Sequence, residues 1–285
     1  MILVFGKTGQ VARELQSYKD VISIGRDQAD LSRPSTCADA IKQYKPHAVI
    51  NAAAYTAVDK AESEEVQANT INGDAPGAMA IVCADLDIPL VHISTDYVFD
   101  GSGITPWSVT DTPYPKNAYG RSKLKGEYAI KASGCVHAIL RTSWVVSAHG
   151  NNFVKTMRRL SETRDHVTVV DDQIGGPTCA RDIAQTCISI VEQLIQDPSK
   201  AGIYHYSGQP DVSWCQFANA IFEQMGCKTT AIPIPTTEFP TPARRPLNSR
   251  LDCEASHDKF GVPRAFWRDG LEEILRDLEG EHDKA

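Results

Sequence analysis

In the stretch NAYGRSK, Asn117 to Lys123, a tyrosine and a lysine stand four residues apart. On a helix that spacing puts Tyr119 and Lys123 on one face. A free phenol has a pKa of about 10, and an ammonium beside it favours the phenolate, so such a pair suits proton transfer near neutral pH. The spacing alone is also that of an ordinary surface pair. Chemistry needs a second polar group and a cleft. Thr95 supplies that group if the run HIST ends a strand, because ligands of open α/β sheets bind beyond the carboxyl ends of the strands.

The elements that would position these residues follow an alternating rhythm. MILVFG (1–6), VISIG (21–25), AVINAAA (48–54), IPLVHIST (88–95), VHAILRTSWVV (136–146) and HVTVV (166–170) read as strands. Between them, helices are expected over GQVARELQSY, over 36–44 before Pro46, near 74–87, over 118–132 and over 180–194. Apolar strands alternating with helices imply a Rossmann-like, doubly wound parallel sheet, an α/β fold with both faces covered. Residues 1–145 read as a dinucleotide-binding domain, with 166–206 completing its sheet. Residues 207–285, joined by 146–165, read as a smaller substrate-binding domain. There one helix is expected at 214–225, and the proline-dense IPIPTTEFPTPARRPLNSR reads as an ordered loop over a site.

The first strand-to-helix turn carries GKTGQVA, with Gly6 and Gly9. Glycines there allow a tight bend and let a pyrophosphate approach the backbone. An ATP-binding P-loop would need glycine at position 1, which is Met. The second strand ends in Gly25-Arg26-Asp27. Arg26 suits a ribose 2′-phosphate and so NADPH, while Asp27 keeps NADH possible.

The bulk numbers exclude several classes. A net charge of −7 and a pI near 5.6 argue against nucleic acid as a partner. No apolar run reaches membrane-spanning length, and the N-terminus lacks a signal-peptide pattern. The eight cysteines are scattered without a CxxC pair, as in a cytoplasmic protein with reduced thiols and no zinc site.

Taken together, GxxGxxA, NAAAYT, STD and YGRSK resemble the extended short-chain dehydrogenase/reductases. VDKAE, STDYVFDG, NAYGRSKLKGE, RTSWV, GNNF, DDQIGGPT and PTPARRPLNSRLD narrow the resemblance to the dTDP-4-dehydrorhamnose reductase branch, over residues 2–275. The resemblance implies reduction by NADPH of the C4 keto group of dTDP-4-dehydro-β-L-rhamnose to dTDP-L-rhamnose, in a monomer or homodimer. It makes Tyr119 the proton donor and gives Lys123 the nicotinamide ribose, with Thr95 on the carbonyl oxygen. Cofactor contacts carry over to Gly6, Gly9, Gln10, Val11, Arg26, Asp30, Leu31, Ala52, Ala53 and Ala54, with Tyr119 and Lys123. Substrate contacts carry over to Thr95, Asp96 and Trp144 around the sugar and to Asn152, Arg245 and Arg250 near the diphosphate.

Three positions depart from the branch, the first being Ala12 in place of the third glycine, a change common at this turn. Val146 stands where relatives carry an aromatic, and Arg181 where some carry a metal-binding glutamate, so no metal is expected. Sugar-nucleotide 4,6-dehydratases carry an acidic pair after the threonine, whereas Asp96 is followed by Tyr97. Two other readings stay open: a reductase of another dTDP-4-keto-6-deoxy sugar, such as one giving 6-deoxy-L-talose, and a non-catalytic NADP-binding subunit. Intact Thr95, Tyr119 and Lys123 favour the enzyme.

Overall fold

A computed structural model describes residues 1–282, with side chains through Gly280. The chain runs β1 (Ile2–Phe5), α1 (Gln10–Leu15), β2 (Val21–Ile24), α2 (Pro34–Tyr44), β3 (Ala48–Asn51), α3 (Val58–Ala61), α4 (Glu65–Asn69), α5 (Ala75–Asp85) and β4 (Leu90–Thr95). It continues through α6 (Ala118–Ala132), β5 (His137–Thr142), β6 (Val145–Val146), α7 (Phe153–Ser161), β7 (His166–Val170), β8 (Ile174–Gly175), β9 (Thr178–Cys179), α8 (Ala180–Gln196) and β10 (Gly202–His205). The last part adds β11 (Val212–Ser213), α9 (Trp214–Gln224), β12 (Thr230–Ile234), β13 (Asn248–Ser249), α10 (Glu254–Phe260) and α11 (Trp267–His282).

The central sheet has six strands in the order β10-β5-β4-β3-β1-β2, all parallel. Successive side chains of a strand point to opposite faces, and both faces here are buried. Ile2, Val4, Ile50, Val91 and Leu140 pack with α1 and α8 on one side. Leu3, Phe5, Val49, Leu90 and Ile139 pack with α2 and α5 on the other. Strand order reverses at β1 and β3, the place where such sheets open a ligand crevice.

Strand β7 lies elsewhere than the sequence reading expects. Its register is parallel to β12, His166 against Thr230 through Val170 against Ile234, in a separate two-stranded sheet. The cause is the alternation in HVTVV. Val167 and Val169 point into a third core with Phe217 and Ile221 of α9, while His166 and Thr168 are exposed. A strand polar on one face cannot sit mid-sheet between two helical layers. The sixth central strand is β10, paired with β5 from Gly202 against Ala138.

The expected helix near 74–87 begins earlier. Residues 65–85 are helical throughout, with a wide π turn at Thr70–Asp74 that absorbs Pro76, which has no N–H to give. That turn meets α6 at very short range: a Cβ on Gly126 would stand 2.1 Å from the Asn72 carbonyl oxygen. The proline-dense stretch is partly strand, since Thr230–Ile234 forms β12.

Arg181 joins three elements, pairing with Glu273 and, at 3.4 Å and 3.8 Å, with Asp277 and Glu14. All eight cysteines are free. No helix among the described residues is long and apolar enough to cross a membrane.

Candidate active site

Five central strands end at one cleft of about 1090 Å³. Its walls are residues 6–11 after β1, the tip of β2 with Arg26, Asp30 and Leu31, residues 52–58 after β3, 93–97 at the end of β4, and 142–145 after β5. Gly6 and Gly9 form the floor. Gly6 has φ +118°, a conformation open to glycine, and a Cβ there would stand 3.2 Å from Ala12 Cβ and 3.3 Å from the Ala52 carbonyl. The bare Gly6 backbone and the buried Ala12 methyl therefore fit together, and the turn leaves room for a dinucleotide's pyrophosphate.

At the β2 tip both signs of charge are present. Arg26 lines the cleft beside Asp30, whose carboxylate accepts from the Ser32 N–H at 3.0 Å and is held below its ordinary pKa by it. Gln10 lines the cleft too, but its side chain points to the far wall. Its Nε2 donates to the Val145 carbonyl, and its Oε1 accepts from Ser147 and Asn152.

Helix α6, which carries Tyr119 and Lys123, is fixed at its first turn. Asn117 Oδ1 accepts from the Gly120 N–H at 2.8 Å, which satisfies one of the free donors of α6. The same amide donates to the Arg244 carbonyl at 2.9 Å, so the proline-dense segment braces the helix start. Glu62 accepts from the Ala118 N–H at 2.8 Å. A Cβ on Gly120 would stand 2.2 Å from the Tyr97 carbonyl, so glycine lets α6 close on the tip of β4. Tyr119 then lies edge-on to Tyr97, ring centroids 5.5 Å apart.

Thr95, Asp96, Tyr119 and Lys123 thus line one wall. The Thr95 hydroxyl donates to Asp96 Oδ1 at 3.0 Å and accepts from the Tyr97 N–H at 3.2 Å. Burial pushes the Tyr119 phenol above its ordinary value, the Asp96 charge adds to this, and contact with Thr95 offsets part of it. The sequence reading expects Lys123 to lower that phenol. Its amine instead lies 2.7 Å from the Ile93 carbonyl and 3.1 Å from His92 Nε2, and burial lowers its pKa to about 8.

Asp96 is 2% exposed, and its Oδ2 has no hydrogen-bond partner. Burial raises its pKa to about 6, against the pull of Ser249 and Thr95. A carboxyl that holds its proton more tightly folded than unfolded costs stability as pH rises from about 4 to about 6, and the cost persists above that. Asp96→Asn is therefore expected to stabilise the protein at pH 8 by up to about 3 kcal/mol. The gain should vanish below about pH 4. Urea denaturation at the two pH values checks it, and an equal gain at both would contradict the buried charge.

Trp144 takes φ +49° just past β5 and lines the cleft. It stacks on Trp214 at 3.6 Å between centroids, and the Gly175 backbone packs against the same ring, where a Cβ would stand 3.0 Å from Trp144 Cε2. Val146 points away from the cleft into the third core, 1% exposed, and the loss of an aromatic there changes core packing rather than the pocket wall.

Three expected ligand-binding residues do not line the cleft. Asn152 caps α7: its Oδ1 accepts from the Lys155 N–H, and its Nδ2 donates to Gln10 and to the Ser147 and His149 carbonyls. Arg245 donates to Asp59 at 2.7 Å, and Arg250 folds back onto Asn248 at 3.0 Å. Each side chain is drawn away by a nearer partner. Missing from the sequence reading are Lys7, Tyr55, Tyr97 and Ser143, all on the cleft wall. Their places just after strand ends were the available signal.

A parallel sheet with a glycine-floored crevice and a Tyr/Lys wall defines a dinucleotide-dependent oxidoreductase of the short-chain dehydrogenase/reductase class. The chain belongs to the RmlD substrate binding domain family, whose description matches residues 1–279. It is 41% identical to a dTDP-4-dehydrorhamnose reductase from Sinorhizobium fredii, over 96% of each chain. Among solved structures, a dTDP-4-dehydrorhamnose reductase from Clostridium acetobutylicum superposes with a TM-score of 0.90 at 36% identity, covering 98% of this chain and 99% of that one. The Bacillus anthracis dTDP-4-dehydrorhamnose reductase, solved in complex with NADP, gives 0.89 at 34% identity, over 97% and 98%.

Proposed function

We propose that this protein reduces the C4 ketone of dTDP-4-dehydro-β-L-rhamnose to dTDP-L-rhamnose, with NADPH as the reductant. The observation that carries the reading is the wall formed by Thr95, Asp96, Tyr119 and Lys123 at the carboxyl end of β4, in the same cleft as the glycine floor. NADPH, when bound, supplies the hydride. Gly6 and Gly9 leave room for its pyrophosphate, Arg26 at the tip of β2 would hold a 2′-phosphate, and Ala52, Ala53 and Ala54 give a wall of small side chains.

Tyr119 gives its proton to the substrate oxygen as negative charge develops there. Thr95 orients that oxygen once its hydroxyl turns from Asp96, and Asp96 and the Trp144 ring on the cleft wall bound the sugar. Arg245 and Arg250, beside the cleft rather than in it, serve the diphosphate only by leaving Asp59 and Asn248. The protein works in the cytoplasm, as a monomer or homodimer, and its substrate is a nucleotide sugar rather than nucleic acid.

Purified protein mixed with NADPH and dTDP-4-dehydro-L-rhamnose, generated in situ, should consume the reduced nicotinamide, with dTDP-L-rhamnose identified by NMR. Formation of the talose epimer would keep the chemistry and change the product. Tight NADPH binding without turnover would move the weight to another keto-sugar substrate or to the binding-subunit reading.

A further inference from the structure

Three buried polar side chains form a file from the tip of β3 to the catalytic helix. Asn51, His92 and Lys123 are each 1% exposed or less. Asn51 Nδ2 lies 3.0 Å from His92 Nδ1, and Lys123 Nζ lies 3.1 Å from His92 Nε2. Counting donors and acceptors along this file constrains its protons. The Ala53 N–H donates to Asn51 Oδ1 at 3.1 Å, which orients the amide and turns its NH2 group toward His92. His92 Nδ1 must then accept, so the ring proton sits on Nε2 and points at Lys123. An ammonium offers only protons, and N–H would face N–H. A neutral amine offers a lone pair, accepts from Nε2–H, and still donates to the Ile93 carbonyl.

We propose that Asn51 and His92 are positioning residues that bias Lys123 toward its neutral amine and tie its protonation to a rearrangement of the file. When Lys123 is ionised, it donates to His92 Nε2, the ring proton moves to Nδ1, and the Asn51 amide reverses to accept it. The Ala53 N–H then loses its acceptor. Ala53 lines the cofactor side of the cleft, so the charge on Lys123 is linked to the backbone of that wall.

The surroundings agree with this. Burial lowers Lys123 to about 8, with Glu127 opposing, and it keeps His92 well below its ordinary value and so neutral. On α6, Glu127 is already paired with Arg141 of β5 at 2.6 Å. Behind Arg141, His205 of β10 is held neutral by burial and by the guanidinium, its pKa lowered to about 3. On the cleft side, Tyr119 and Tyr97 are neutral phenols, and Asp96, just past β4, is the nearby carboxyl.

The test is a pH titration of Lys123 by NMR in protein labelled with lysine carrying 13C at Cε, the signal assigned by its loss in Lys123→Met. Asn51→Leu frees His92 to accept from the ammonium and is expected to raise the Lys123 midpoint by about one pH unit, the scale of one hydrogen bond. His92→Leu removes the Nε2–H donor and should raise it similarly, and it carries the test if Asn51→Leu does not fold. If burial alone set the midpoint, either leucine would leave it unchanged or lower it. That result overturns the proposal. The functional side rests on the reductase reading: the alkaline limb of kcat should move upward with the NMR midpoint. A shifted midpoint in a protein with no turnover would uphold the relay and contradict that reading.

Discussion

Tyr119→Phe lowers kcat by about 10²–10⁴ while NADPH affinity stays close to that of the unaltered protein. The substitution deletes one hydroxyl and keeps the ring, which lies edge-on to Tyr97 at 5.5 Å and packs at the braced start of α6. The fold and the dinucleotide cradle are therefore untouched, and what is lost is the proton donor. Steady-state kinetics with a fluorescence titration of NADPH separates the two effects. If most activity survives, the acid is another group, and Asp96, the buried carboxyl beside Tyr119, is the first to test.

Arg141→Leu is expected to destabilise the protein by about 3–5 kcal/mol. Arg141 and Glu127 are nearly fully buried, joined by two hydrogen bonds of 2.6 and 2.9 Å, and Glu127 also accepts from Ser94 at 2.5 Å. Removing the guanidinium strands a carboxylate in the core, one turn of α6 beyond Lys123. The double variant Glu127→Met/Arg141→Leu should recover most of the loss, because no unpaired charge remains. Urea denaturation of the single and double variants forms the cycle. A double variant as unstable as the single one would mean that shape, not charge, holds this corner.

The central sheet was legible because its strands are apolar on both faces, and β1 through β5 fall where the sequence reading puts them. The misplaced strand, His166–Val170, carried its own warning in the alternation of His and Thr with Val. The Tyr119/Lys123 wall was legible from spacing and from its position after a strand end. The cap that Asn152 places on α7 could not be told from a ligand-binding amide, because the two have the same local sequence. Asn51 and His92 were harder still. Asn51 ends β3 and His92 shares β4 with Ser94 and Thr95, and only the three-dimensional file from β3 through β4 to α6 pairs them. The braces on α6 from Glu62 and Arg244 join residues 56 and 127 positions apart, beyond the reach of any local pattern.

The central claim is that this cleft carries a hydride to C4 of a nucleotide-linked keto sugar. The direct measurement is turnover of dTDP-4-dehydro-L-rhamnose with NADPH carrying deuterium at both C4 positions of the nicotinamide ring, followed by NMR of the sugar. The account predicts dTDP-L-rhamnose with deuterium at sugar C4. A product carrying only hydrogen at C4, or no product from folded protein that binds NADPH, would contradict it.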